Sequence, residues 1–448
     1  MSRKYFGTDG IRGFANDFPM TSEFFVKLGQ ALGIYFSKNH PNTKIVLGKD
    51  TRRSGYMLEL ALSSGLCSVG VDTYLTGPLP TPGIAYLTKG LRAAAGVMLS
   101  ASHNPYFDNG IKIFDSAGLK LTDEAEREIE ALLEQDLTPH LVKYGEIGRV
   151  RAIGDAIGQY AVFLKEQFPK HLSLDGIRIV VDPAHGAAYK VAPKVFEELG
   201  AEVIMINNHP NGTNINEQCG ALHPEALRKE VLKYRADLGV ALDGDADRLV
   251  VVDSIGNILD GDTLLAICAL DLKEKNKLVD NTLVVTTMSS LGLELTLNNN
   301  GCKLVRTDVG DRYVLSEMQK GGFNLGGESS GHIVYRDFST SGDGLLAALK
   351  LLEIIIEKKA SVHSLAKIMI HTPQVLENVK VSEKKPLDQL PKTKALIEGW
   401  ETKLGTSGRV LFRYSGTEKL ARIMIEGRDE LEIKQAALEI AEQLRKEI

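Results

Sequence analysis

One local pattern recurs along this chain and limits its possible folds more than any other feature. A short apolar run at Lys44–Leu47 is followed by a loop, a helix-compatible stretch from Ser54 to Val69 and a second apolar run at Val71–Leu75. The same order returns at Ile177–Val181, Val191–Leu199 and Glu202–Ile206. It returns again at Leu283–Thr287, from about Leu291, and at Lys303–Thr307. The strand-like runs are continuously apolar rather than alternating, as a sheet covered on both faces requires. Three such strand–helix–strand units predict three related α/β domains with mixed or parallel sheets.

The pattern stops after the helix-compatible segment Leu345–Lys358. Pro373, Pro386 and Pro391 punctuate a Lys- and Glu-rich stretch to about Lys394, which reads as a boundary. Strands at Arg409–Arg413 and Arg422–Glu426 and a helix over Glu430–Lys446 then make a small α+β domain. Boundaries near 153, 256 and 372 divide the 448 residues into segments 1–153, 154–256, 257–372 and 373–448.

Composition narrows the function classes. A net charge of -5 gives no basic field for nucleic acid and no polybasic membrane patch. No run of ~20 apolar residues is present to span a bilayer, and Met1–Phe6 carries no apolar signal-peptide core. Cys67, Cys219, Cys268 and Cys302 have no paired spacing, which fits a reducing cytoplasm and argues against a disulfide framework or a zinc site.

Five loops carry the chemistry. The strand-like Gly96–Leu99 ends in Ser100-Ala101-Ser102-His103-Asn104-Pro105. Asn104 and Pro105 keep this segment out of helix and leave Ser102 on a turn. A serine hydroxyl needs a base or a cation to act as a nucleophile; His103 is adjacent and Lys112 follows in Asp108-Asn109-Gly110-Ile111-Lys112. The G-x-S-x-G elbow of the α/β-hydrolases is missing. Read alone, these six residues serve equally well as a capped turn.

The second loop, Asp243-Gly244-Asp245-Ala246-Asp247-Arg248, lies between apolar runs Leu238–Leu242 and Leu249–Val252. Three carboxylates at alternate positions project to one side of an extended loop and repel one another unless a cation joins them. Hard oxygen ligands suit Mg²⁺. An EF-hand would require Gly at the sixth place and Glu at the twelfth, where Arg248 and Ser254 stand.

The third loop is Gly326-Gly327-Glu328-Ser329-Ser330-Gly331-His332, in which Glu328, Ser330 and His332 alternate and can face one hydroxyl-rich ligand. The fourth, Arg413-Tyr414-Ser415-Gly416-Thr417-Glu418, joins two strands with a cation, two hydroxyls and a Gly-permitted backbone, the makings of a phosphate cradle without a Walker sequence. The fifth, Phe6-Gly7-Thr8-Asp9-Gly10-Ile11-Arg12-Gly13, offers Arg12 as a fixed cation for a transferring phosphoryl group.

Taken together, and in this order, the loops resemble the α-D-phosphohexomutase superfamily over essentially the whole chain. F-G-T-D-G-I-R-G, S-A-S-H-N-P-x-x-D-N-G-I-K, N-I-N-x-x-C-G at Asn214–Gly220 and T-x-V-G-D-R-Y-V at Thr307–Val314 point to the bacterial branch acting on glucosamine phosphates. The resemblance implies four domains around a central cleft, with Ser102 as a phosphoserine. Asp243, Asp245 and Asp247 would bind one Mg²⁺ with the phosphoserine oxygen. Glu328, Ser330 and His332 would read the sugar, and Arg413, Ser415, Gly416 and Thr417 would hold the distal phosphate. Arg12, His103, Lys112 and Arg248 would line the reacting centre.

The implied activity interconverts glucosamine 6-phosphate and glucosamine 1-phosphate through a 1,6-bisphosphate, feeding UDP-N-acetylglucosamine and cell-wall synthesis. The substrate would be a small sugar phosphate, and the protein would act without nucleic acid or membrane, as a homodimer by family expectation. Three readings stand beside it: the same chemistry on mannose or glucose phosphates, a metal-dependent sugar phosphatase, and a non-catalytic sugar-phosphate sensor. The chain departs from the branch pattern at Ser329 (usually Gln), Lys419 (usually Pro), Ser290 (usually Asn) and Ala221-Leu222 (usually Ser-Thr). None of these removes a catalytic or metal-binding group, and Ser329 lies among the specificity residues.

Overall fold

The structure is a computed structural model that describes residues 3–7, 9–38, 43–414 and 419–448. It divides into two compact units, residues 1–288 with 302–367, and 289–301 with 368–448.

The first unit contains three mixed α/β sheets. In the six-stranded sheet the order is Ile11–Phe14, Asp108–Asp115, Ala95–Leu99, Lys44–Lys49, Asp72–Pro78, Val150–Ala152. Lys44–Lys49 runs parallel to both of its neighbours, while Asp108–Asp115 returns antiparallel to Ala95–Leu99 and then pairs with Ile11–Phe14. The five-stranded sheet orders Ile258–Leu259, Leu249–Asp253, Leu238–Leu242, Arg178–Asp182 and Glu202–Met205. The third orders Lys303–Thr307, Thr282–Thr286, Leu325–Gly327 and Ile333–Tyr335.

The central strands are buried because their sequences are largely apolar and carry no charge: every residue of Ala95–Leu99, Leu238–Leu242 and Thr282–Thr286 is buried. Such strands need helices on both faces. Ser22–Ser37 and Arg53–Ser68 supply part of that cover in the first sheet, with Phe25, Leu28, Leu32, Leu58, Leu62 and Leu66 in one core. Side-chain caps fix where several helices begin: Thr21, Thr122, Asp155, Asp260 and Asp343 each accept from a first-turn N–H. Parallel packing brings the carboxyl ends of Lys44–Lys49 and Ala95–Leu99 side by side, the place where open α/β sheets bind ligands.

The second unit is α+β. Its three-stranded antiparallel sheet orders Gln374–Lys380, Leu420–Gly427 and Gly408–Tyr414, packed by helices Pro391–Leu404 and Glu430–Glu447. Gln374–Lys380 lies in the stretch that the sequence reads as a boundary, and Pro391–Leu404 begins at its end. Gln374–Lys380 alternates exposed and half-buried positions as an edge strand, so its polar residues mask the pattern. In Pro391–Leu404, Pro391 starts the helix instead of breaking one. Helix Leu291–Asn299 also belongs to this unit by its contacts, with Ile370 N–H donating to Thr296 Oγ1 at 2.9 Å. Among the described residues, no helix is long and apolar enough to cross a membrane, and all four cysteines are free thiols.

Candidate active site

Ser102 sits just beyond the buried strand Ala95–Leu99, itself buried and in the left-handed region at φ 51°. Its Oγ donates to Asp243 Oδ2 at 2.6 Å, and His103 Nδ1 lies 3.2 Å from Ser102 Oγ. Burial, with the charges of Arg248 and Arg12, pushes the His103 imidazole down to about 4. It is therefore neutral at physiological pH.

Asp243, Asp245 and Asp247 are all buried, and their ligand oxygens lie within 4.8 Å of one another. They converge by a different route from the one their alternation suggests. The loop is a turn, with Ala246 N–H donating to Asp243 O at 3.0 Å and Ala246 left-handed at φ 57°. A turn can close three carboxylates around a point, whereas an extended strand would only line them up. Thr81 Oγ1 and Lys112 Nζ donate to Asp245 Oδ2 at 2.6 and 2.8 Å, and Lys112 reaches Asp247 Oδ2 at 3.1 Å.

Oδ1 of Asp245 and Oδ1 of Asp247 are buried without a hydrogen-bond donor among the described residues. Burial, then the charges of Asp247 and Asp245, push Asp243 up to about 8. Buried acceptors with no donor, beside a carboxyl that burial and like charges make costly to ionise, fit a divalent cation with hard oxygen ligands.

The cluster borders a cavity of about 440 Å³ lined by Tyr5, Gly7, Asp9, Gly10, Arg12, Ser102, His103, Asp247, Arg248, Val309, Gly310, Asp311, Glu328 and His332. The sugar-loop candidates Glu328 and His332 thus share a wall with Ser102; Ser330 is exposed outside that lining, its Oγ 3.4 Å from Glu328 Oε2. His332 is buried between Asp247 (3.6 Å) and Asp311 (3.5 Å). Burial opposes its charge, but Asp247 and Asp311 outweigh it and raise the imidazole to about 9.

The acidic and sugar loops are joined through backbone. Arg248 bridges His332, and Leu249 N–H donates to Gly331 O at 3.0 Å. Gly331 is required there: its φ is +91°, and a Cβ would come within 2.1 Å of Leu249 O.

Lys112 is buried against Asp245, Asp247 and, at 3.4 Å, Asp9. Burial lowers its pKa, yet these carboxylates together carry it well above its ordinary value. Arg12 pairs with Asp9. Asp9, Lys120 and Asp311 escaped the reading of the sequence. Lys120 bridges Asp9 and Asp311, which hold Arg12 and His332 in turn. Asp9 and Asp311 stand inside the F-G-T-D-G-I-R-G and T-x-V-G-D-R-Y-V motifs, so a signal existed; Lys120 carried none.

Arg413 is half-buried in strand Gly408–Tyr414, opposite Arg422. Burial and the Arg422 charge lower its pKa. Ser415, Gly416 and Thr417 lie outside the described residues.

Four consecutive matches cover the chain. Residues 3–139, 159–256 and 260–372 match α/β/α domains I, II and III of phosphoglucomutase/phosphomannomutase, and residues 376–443 match its C-terminal domain. The chain belongs to the phosphoglucomutase/phosphomannomutase family. Within the family it is 53% identical to a phosphoglucosamine mutase of Geobacter metallireducens, over 100% of this chain and 99% of the relative. The fold is that of a Burkholderia thailandensis phosphoglucomutase/phosphomannomutase family protein, with a TM-score of 0.81 at 21% identity, covering 100% and 98% of the two chains. It is also similar to Aspergillus fumigatus N-acetylphosphoglucosamine mutase solved with GlcNAc-6P and magnesium, with a TM-score of 0.66 at 18% identity, covering 99% and 96%.

Proposed function

We propose that this chain interconverts glucosamine 6-phosphate and glucosamine 1-phosphate, with Ser102 carrying the phosphoryl group. The observation that carries the reading is the position of Ser102 Oγ. It is 2.6 Å from the acidic cluster, on the wall of a cavity that Glu328 and His332 share. The name of the 53% identical relative supports the amino sugar.

Phospho-Ser102 gives its phosphoryl group to the free hydroxyl of the bound monophosphate. The bond from phosphorus to Oγ breaks, a bond to the sugar oxygen forms, and the hydroxyl proton ends on Ser102 Oγ. The 1,6-bisphosphate then presents its other phosphate: the bond from phosphorus to that sugar oxygen breaks, a bond to Ser102 Oγ forms, and the Ser102 hydroxyl proton ends on the freed sugar oxygen. His103 Nδ1, 3.2 Å from Oγ and unprotonated, is placed to take that proton and pass it on to the sugar oxygen.

Asp243, Asp245 and Asp247 would hold Mg²⁺ together with the phosphoserine oxygen, and the ion, when bound, neutralises charge on the transferring group. Arg12 and Arg248 present fixed cations to the cavity. Lys112, paired with three carboxylates, stays charged and orients Asp245 and Asp247. Glu328, Ser330 and His332 are assigned to the sugar hydroxyls, and Arg413 with Ser415, Gly416 and Thr417 to the second phosphate. The four free thiols suit a reducing cytoplasm.

Ser102→Ala tests the reading. Mutase turnover and phosphate incorporation should both vanish; a fully active variant overturns it. Turnover compared on glucosamine, glucose and mannose phosphates decides the sugar, and steady phosphate release without a bisphosphate requirement would instead indicate a phosphatase.

A further inference from the structure

Arg52 plays no part in the chemistry above, yet its side chain is fully buried at the foot of the serine loop. A guanidinium has five N–H donors, and here each has an acceptor. Nε donates to Asp50 Oδ2 at 2.8 Å. One terminal nitrogen donates to the carbonyls of Pro105 and, at 3.1 Å, Asp108. The other donates to the carbonyls of Ser102 at 2.9 Å and Asn104 at 2.8 Å.

A second donor reaches the same place from the N-I-N motif. Asn216 Nδ2 donates to the carbonyls of Ser102 at 2.9 Å and Asn104 at 3.0 Å. Asp50 closes the ring on the N–H side, accepting from Ser100 Oγ at 2.6 Å while Ser100 Oγ accepts from Ser102 N–H at 2.9 Å. Gly244 backs the same carbonyl so closely that a Cβ there would come within 2.5 Å of it.

Both backbone polar groups of Ser102 are therefore gripped by side chains, at a residue whose φ of 51° is unfavourable for serine. Such conformations persist only where the surroundings over-determine them. We propose that Arg52 and Asn216 are positioning residues that clamp the Ser102 carbonyl and so hold its Oγ against the acidic loop. Neither lines the cavity itself, so the clamp acts through Ser102 on the transfer step and leaves sugar-phosphate binding alone. The proposal rests on Ser102 as the phosphoryl carrier.

Asn216→Ala removes one donor and leaves the guanidinium in place. We expect kcat to fall about tenfold, as for the lost buried hydrogen bond to the Ser102 carbonyl, with KM and the melting temperature near wild type. The rate of Ser102 phosphorylation by glucosamine 1,6-bisphosphate, read by intact mass, should fall in parallel. Arg52→Lys keeps the charge but loses the fork; where it folds, kcat should fall about 10²-fold, the size of effect that a small misplacement of a reacting atom produces.

The two single losses should not multiply in the double variant, because both donors share one acceptor. A folded Asn216→Ala with kcat within about threefold of wild type, or with its loss carried by KM, overturns the clamp; a larger fall in kcat at constant KM supports it. Wild-type protein that never gains phosphate at Ser102 would remove the underlying reading instead. Normal uptake in both wild type and Asn216→Ala removes only the clamp.

Discussion

The serine loop and the sugar loop are held in opposite ways. In the serine loop, side chains grip backbone: Arg52, Asn216, Asp50 and Ser100 converge on the Ser102 segment. In the sugar loop, backbone grips backbone. Glu328 N–H donates to His332 O, Gly331 N–H to Glu328 O, Leu249 N–H to Gly331 O and Gly261 N–H to Ser329 O, at 2.9 to 3.0 Å. The Glu328 and Ser330 side chains meet only at a long 3.4 Å contact. The difference follows from what each loop must do. A nucleophile has one reactive atom to place, so neighbouring side chains are committed to fixing it. A loop that reads hydroxyls needs Glu328 and Ser330 available, so its backbone carries the structure, with the His332 ring alone committed to Asp247 and Asp311.

This contrast can be broken or sharpened by experiment. The largest effect is expected at the acidic cluster between the two loops. Chelating the divalent ion should lower kcat by roughly 10²–10³-fold, with Mg²⁺ restoring it; undiminished turnover in chelator would show that the cluster works without a metal.

Next comes Lys120, which ties Asp9 to Asp311. Lys120→Met removes the cation shared by two poorly solvated carboxylates and should cost about 3 kcal/mol in urea unfolding. A change below about 1 kcal/mol would mean that Arg12 and Lys112 suffice for Asp9.

Glu328→Gln should raise KM about tenfold with kcat within threefold, in keeping with a charged hydrogen bond lost to the ligand. A kcat loss without a KM change would erase the distinction between the loops. Smallest of all, Ser330→Ala should raise KM roughly threefold, measured by initial rates on glucosamine 6-phosphate.

Much of this was legible from residue types. The nearly unbroken apolar runs located the central strands to within a residue or two, as at Thr282–Thr286 and Leu238–Leu242. The serine, acidic and sugar loops announced themselves because reactive groups, like charges and glycines cluster over a few residues. Gln374–Lys380 and Pro391–Leu404 went unread because a half-exposed edge strand and a Pro-initiated helix look polar and broken. The turn at Ala246 was hidden for a related reason: alternation in the sequence says nothing about a left-handed residue between the carboxylates.

The sequence by itself determined the three α/β units, the smaller α+β tail and the inventory of reactive groups, since periodicity and local composition are properties of neighbours in the chain. Only the tertiary structure decided which of those groups meet. Ser102 and Asp243 are 141 residues apart, and Lys120 and Asp311 are 191 apart. Arg52, a plain loop cation in the sequence, became the clamp on Ser102 because parallel strands set their carboxyl ends together. A buried donor satisfies whatever acceptor the fold brings to it, and no local pattern encodes that pairing.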